Sequence, residues 1–110
     1  MAHVLHQPFI GAVDACAAAC SYCAGACLRE PDPAPVASCI ALDLDCAALC
    51  QLTSAVAARG GAAAKALAKA CAEVCDACAN ECGRHDMDHC QRCAEACRHC
   101  AASCRSFALA

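Results

Sequence analysis

Residues 71–82, "CAEVCDACANEC", set Cys71, Cys75, Cys78 and Cys82 at intervals of four, three and four. Those intervals stack side chains along one side of an α-helix. The run "CAAACSYCAGAC" repeats the pattern with Cys16, Cys20, Cys23 and Cys27. At 100° per residue each foursome falls within about 60° of arc. Cys39, Cys46 and Cys50 of "CIALDLDCAALC" lie in a similar arc. Cys90, Cys93, Cys97, Cys100 and Cys104 span about 80°. All sixteen cysteines therefore belong to four narrow helical stripes. The stripe of most apolar character turns inward in a bundle, and cysteine is among the most buried residue types. Four such stripes make a tube of thiols along the bundle axis.

The punctuation between the stripes delimits four helices, at about residues 8–28, 33–58, 62–82 and 86–107. Pro8 suits a first helical turn, leaving residues 1–7 as an N-terminal tail. "REPDPAP" ends the first helix, with Asp32 as the next N-cap and Pro33 at the first helical position. "RGG" at 59–61 is a stop and tight turn. Gly83 suits a C-cap, and Asp86 is the expected N-cap of the last helix. With loops of bundle length, the fold class is all-α, an antiparallel four-helix bundle with a Cys-lined core. One domain spans residues 8–110.

Composition agrees. Sixteen cysteines in 110 residues usually mark a loop-rich disulfide scaffold. This chain is instead dominated by alanine, with five glycines and four prolines. The start "MAHVLHQPFI" lacks the basic and long apolar regions of a secretory signal, and polar residues interrupt every span of membrane length. The expected compartment is the cytosol, where thiols stay reduced. The net charge of −3, three aromatics and scattered basic residues give no support for nucleic-acid binding. Large core formers are few: eight Leu, two Phe, two Ile and no Trp. A bundle with an ordinary hydrocarbon centre would be poorly filled.

One buried cysteine reads as a small hydrophobe; sixteen in register do not, because Ala or Leu fills space without oxidation risk. Neighbours at i, i+4 on one helix are badly placed for disulfide geometry. Structural zinc favours closed foursomes on Cys-x-x-Cys turns, and iron–sulfur clusters favour ligands on loops. "CAAACSYC" and "CAEVCDAC" match the Cys-x-x-x-Cys-x-x-Cys of radical enzymes, but the chain is too short for their barrel. Cu(I) is soft, prefers thiolate and accepts two or three sulfurs. Seven i, i+4 pairs can flank such an ion: Cys16/Cys20, Cys23/Cys27, Cys46/Cys50, Cys71/Cys75, Cys78/Cys82, Cys93/Cys97 and Cys100/Cys104. One proton lost per Cu(I) leaves a filled tube nearly neutral, with a capacity on the order of one ion per thiolate. The alternative is a zinc or mixed-metal thiolate buffer of metallothionein type. A thiol redox enzyme would need an exposed, low-pKa Cys-x-x-Cys at a helix N-terminus; these units lie mid-helix. No enzymatic turnover is expected.

In these runs and in "HDMDHCQRCAEACRHCAASC", over about residues 10–106, the chain resembles the bacterial copper storage proteins. The missing export signal points to their cytosolic branch. The resemblance implies a four-helix bundle holding many Cu(I) ions, usually as a homotetramer.

Alternating helix directions bring Cys27, Cys39, Cys82 and Cys90 to one end, and Cys16, Cys50, Cys71 and Cys104 to the other. Near the first end Asp43 fills a gap in the second stripe, as an oxygen ligand or turned to solvent. His85 and His89 flank the fourth stripe there, and imidazole is a competent copper ligand. Asp43, His85 and His89 are the expected ligands where ions enter; family members carry similar residues. Met87 reads as a rim contact, with a thioether ligand as the alternative, His99 as surface, and His3 and His6 as tail. Between residues 8 and 28 the only acidic or basic side chain is Asp14, an outer face too apolar for water alone. A homotetramer would cover it. The expected partners are copper ions, copper chaperones and recipient cuproproteins.

Overall fold

The computed structural model describes residues 7–110. Four helices follow one another: α1 (Gln7–Leu28), α2 (Ala37–Ala58), α3 (Ala64–Cys82) and α4 (Asp88–Leu109). They form an antiparallel four-helix bundle in which each helix packs on its two neighbours, α4 returning to α1. His3 and His6 lie outside the described residues.

The helix starts differ from the sequence expectation, each for a local reason. Pro33 and Pro35 delay α2 until Ala37, because neither has an N–H and a proline disfavours helical geometry at the preceding residue. Asp32 is not an N-cap: a single 3-10 turn, Ala34–Val36, intervenes, and the N-cap of that turn is Pro33, without a side-chain cap bond. The Asp32 Oδ1 accepts from the Ala34 N–H at 3.2 Å, from one residue further out. The α2–α3 turn runs on to Ala63. Gly60 takes φ 66°, and the Gly61 N–H closes onto the Val56 carbonyl at 2.9 Å. Gly83 is the α3 C-cap, as expected. Asp86 is not the N-cap of α4; Met87 is, in an extended conformation and without a side-chain cap. That extended residue breaks helical continuity between His85 and His89, so His85 stands in the connector.

Sulfur fills the interior. All sixteen cysteines are buried, none more than 1% exposed, and all are free thiols. Alanines flank the stripes and allow the helices to approach closely; Ala24, Ala47, Ala79 and Ala94 are all buried. Ordinary hydrocarbon gathers at the end where α1 starts and α4 finishes. There Phe9 stacks on Phe107 with centroids 4.1 Å apart and planes 5° apart, and Val13, Val56, Ala57, Ala64 and Ala68 are buried.

That plug moves one residue relative to expectation. Cys16 is not at the end of the tube: its sulfur lies 3.9 Å from Cys46, 3.8 Å from Cys97 and 4.0 Å from Cys75, in the middle. Helix α1 continues more than two turns below Cys16, and Val13 and Phe9 occupy the inward positions there. The closed end is formed by Cys50, Cys71, Cys100 and Cys104, with Cys50 3.5 Å from Cys71 and Cys100 3.9 Å from Cys104.

Two segments, Gln7–Leu28 and Ala34–Ala58, match a membrane span in length and mean hydropathy, at 1.4 and 1.5. Much of that apolarity is cysteine and alanine turned to the bundle interior. Outward, α1 and α2 expose Tyr22, Leu28, Leu44 and Leu52.

Candidate metal centre

A helical stripe of thiols becomes a site only when four of them face one another. In the middle of the column, sulfurs of different helices lie 3.6 Å apart (Cys20–Cys97 and Cys46–Cys75) and 3.7 Å apart (Cys20–Cys93). At the open end Cys27 lies 3.8 Å from Cys90, Cys23 lies 3.9 Å from Cys39, and Cys39 lies 2.6 Å from Cys82. The expected rim of Cys27, Cys39, Cys82 and Cys90 is thus assembled, with Cys23 as a further member. All seven i, i+4 pairs have their sulfurs within 4.8 Å.

Foursomes do form between the stripes, but they overlap. Cys16, Cys46, Cys50 and Cys75 form one; Cys16, Cys20, Cys46 and Cys97 another; Cys20, Cys78, Cys93 and Cys97 a third. Sharing of members makes a continuous column of soft donors instead of separate closed sites. A doubly charged ion with four thiolates in each foursome would accumulate buried negative charge. A singly charged ion per thiolate would not. Burial pushes the Cys27 and Cys90 thiols up from their ordinary range, since desolvation disfavours the thiolate. Metal loading then releases protons as the thiolate forms.

Asp43 continues the α2 stripe, four residues after Cys39 and three before Cys46, and it points into the column. It is fully buried. Its Oδ1 accepts from Cys93 at 3.1 Å, Cys78 at 3.3 Å and Cys82 at 3.4 Å, and its Oδ2 from Cys39 at 3.8 Å. Burial, with the Cys93 thiol beside it, holds this carboxyl up at about 8. The solvent-facing alternative for Asp43 is excluded by this burial.

The two histidines part company. His89, in the first turn of α4, turns its Nδ1 to the open mouth, 3.6 Å from Cys23, 3.7 Å from Cys27 and 3.6 Å from Cys90. Its Nε2 faces Glu30, 3.1 Å from Oε2. His85 bonds through Nε2 to Glu81 Oε2 at 2.9 Å, and its carbonyl accepts from Gln91. It is at the same end, held by Glu81 and Gln91 instead of by a mouth thiol. Met87 is half-buried against the core, and His99 is exposed. Glu30 was not singled out by the sequence, where it is one residue of a helix-breaking linker. Its place three residues after Cys27 was the only signal that it reaches the rim.

Comparison with known proteins follows the same lines. Residues 2–109 match the family model described as "Csp: Copper storage protein". A Bacillus subtilis (strain 168) relative, "Uncharacterized cysteine-rich protein YhjQ", is 43% identical over 84% of this chain and 86% of its own length. A solved structure described as "Cu(I)-bound Copper Storage Protein BsCsp3" superposes with TM-score 0.91, at 41% identity over 94% of this chain and 97% of that one. Another, a cytosolic copper storage protein from Streptomyces lividans carrying five coppers, gives TM-score 0.93 at 40% identity, over 99% and 96%. With its fold and nearly its whole length matched, this chain belongs to the copper storage protein family.

Proposed function

We propose that the column stores many Cu(I) ions in the cytosol, with all sixteen cysteines as ligands and no turnover. The observation that carries this is the set of overlapping, fully buried thiol foursomes. They suit a soft monovalent ion whose charge each thiolate cancels. Ions enter at the end carrying Asp43, His89 and His85: His89 meets the ion at the rim, Asp43 offers a weak oxygen one layer in, and His85 is an outer ligand. The opposite end is closed by the Phe9–Phe107 plug. Residues 8–110 act as one domain and residues 1–7 as its tail.

The test is anaerobic titration of the reduced protein with Cu(I) against a competing chelator. Tight uptake on the order of one equivalent per cysteine is expected. Saturation at a quarter of that, with preference for zinc, would replace storage by a zinc or mixed-metal buffer.

In the same reading the protein is a homotetramer, served by copper chaperones or recipient cuproproteins. The exposed Tyr22, Leu28, Leu44 and Leu52 on α1 and α2 support a subunit interface on that side. Light scattering on a Leu44→Glu, Leu52→Glu variant tests it: the variant should dissociate, and an unchanged mass would remove this interface.

A further inference from the structure

We propose that Glu30 is a positioning residue for copper uptake, holding His89 in the tautomer whose bare Nδ1 faces the mouth thiols. This rests on the storage reading above and adds to it a residue of the α1–α2 linker. A carboxylate has only acceptors, so at 3.1 Å it is the His89 Nε2–H that donates to Glu30 Oε2. In the neutral ring the other nitrogen then carries a lone pair. That nitrogen is the one 3.6–3.7 Å from Cys23, Cys27 and Cys90. The opposite tautomer would aim an N–H at the incoming cation and leave a lone pair against a carboxylate oxygen. A carboxylate on the far nitrogen also orients the ring and raises its donor strength, as it does for metal-bound histidines generally.

The linker is built to keep Glu30 there. Its backbone N–H bonds to the Cys27 carbonyl at 3.2 Å, continuing the last turn of α1, and Pro31 follows at once with a fixed φ. His89 and Glu30 are both partly screened from solvent, at 14% and 33% side-chain exposure.

The transfer is a ligand exchange with copper at +1 throughout. Cu(I) arriving on a carrier thiolate gains a bond to Nδ1, then a bond to Cys23, Cys27 or Cys90 as that thiol loses its proton. The Cu–S bond to the carrier breaks, and the carrier sulfur leaves with the proton.

The experiment supplies Cu(I) anaerobically as its bicinchoninate complex, whose colour is lost on transfer, and reads initial rate and total capacity separately. Glu30→Ala should slow the initial rate by about ten-fold or more and leave the capacity unchanged. Glu30→Gln, whose amide oxygen still accepts from Nε2–H, should restore most of the rate. Glu30→Ala added to His89→Ala should slow uptake no further, because the carboxylate acts only through the ring. Nitrogen-15 NMR of the reduced apo protein should show the Nε2–H tautomer at His89, lost in Glu30→Ala. A normal rate in Glu30→Ala, a further slowing on the His89→Ala background, a parallel loss of capacity, or an Nδ1–H ring in the wild type would overturn the proposal. Low capacity in the wild-type protein would instead sink the storage reading.

Discussion

Replacing Asp43 by asparagine isolates what a buried carboxyl does to the empty tube. The folded protein holds this group at about 8, against roughly 4 for an exposed aspartate. Between those values the native state carries the proton and the unfolded chain does not. The sign follows from proton linkage: the folded state binds more protons, so stability falls as pH rises. The contribution is complete below the unfolded value and gone once pH passes about 8. Each unit is worth about 1.4 kcal/mol, so the loss between pH 5 and 7.5 is roughly 3 kcal/mol. Asparagine keeps an oxygen for Cys78, Cys82 and Cys93 but has no proton to exchange. The assay is urea unfolding of both reduced, copper-free proteins at several pH values, read as wild type minus variant so that other titrating groups cancel. The wild-type advantage should shrink by roughly 3 kcal/mol over that window. A difference that stays flat, or grows with pH, would refute the account of Asp43 as a carboxyl kept protonated by burial.

Three further outcomes follow from the same geometry. Unfolded, reduced protein should take sixteen alkyl groups by mass spectrometry, whereas the copper-loaded native protein should be protected at all of them together; one hyper-reactive pair would point to a redox enzyme instead. Phe9→Ala removes the stacked partner of Phe107 at the closed end and should cost about 3 kcal/mol in chemical unfolding. Copper capacity should not change, and a fall would mean the plug is part of the metal column. Gly60→Ala forces a side chain to φ 66° and should lower stability by about 1 kcal/mol; no loss would mean the α2–α3 turn readily changes shape.

The stripes were legible because helical periodicity is local: an interval of three or four residues fixes which side of a helix a thiol lies on, whatever the helix touches. Proline and glycine marked the connections for the same reason, though they erred at the starts. Asp32 looked like a helix cap and yields to Pro33, which starts a 3-10 turn; Asp86 looked like one and yields to Met87. Caps depend on the path of the chain over several residues, and prolines and an extended residue redirected it. His85 and His89, four apart in sequence, both read as entry ligands, with His89 nearer the centre of the stripe; the break at Met87 sends one to Glu81 and the other to the thiols.

By itself, then, the sequence determined that four helices would carry all the sulfur on their inward faces, because residue spacing and burial preference need no partner to act. Only the tertiary structure decided the axial register. It puts Cys16 in the middle of the column, closes one end with Phe9 and Phe107, sinks Asp43 among four thiols and sets Glu30 against His89. Register depends on where each helix starts and how the loops set one helix along another. Those are contacts between residues far apart in the chain, and no periodicity encodes them.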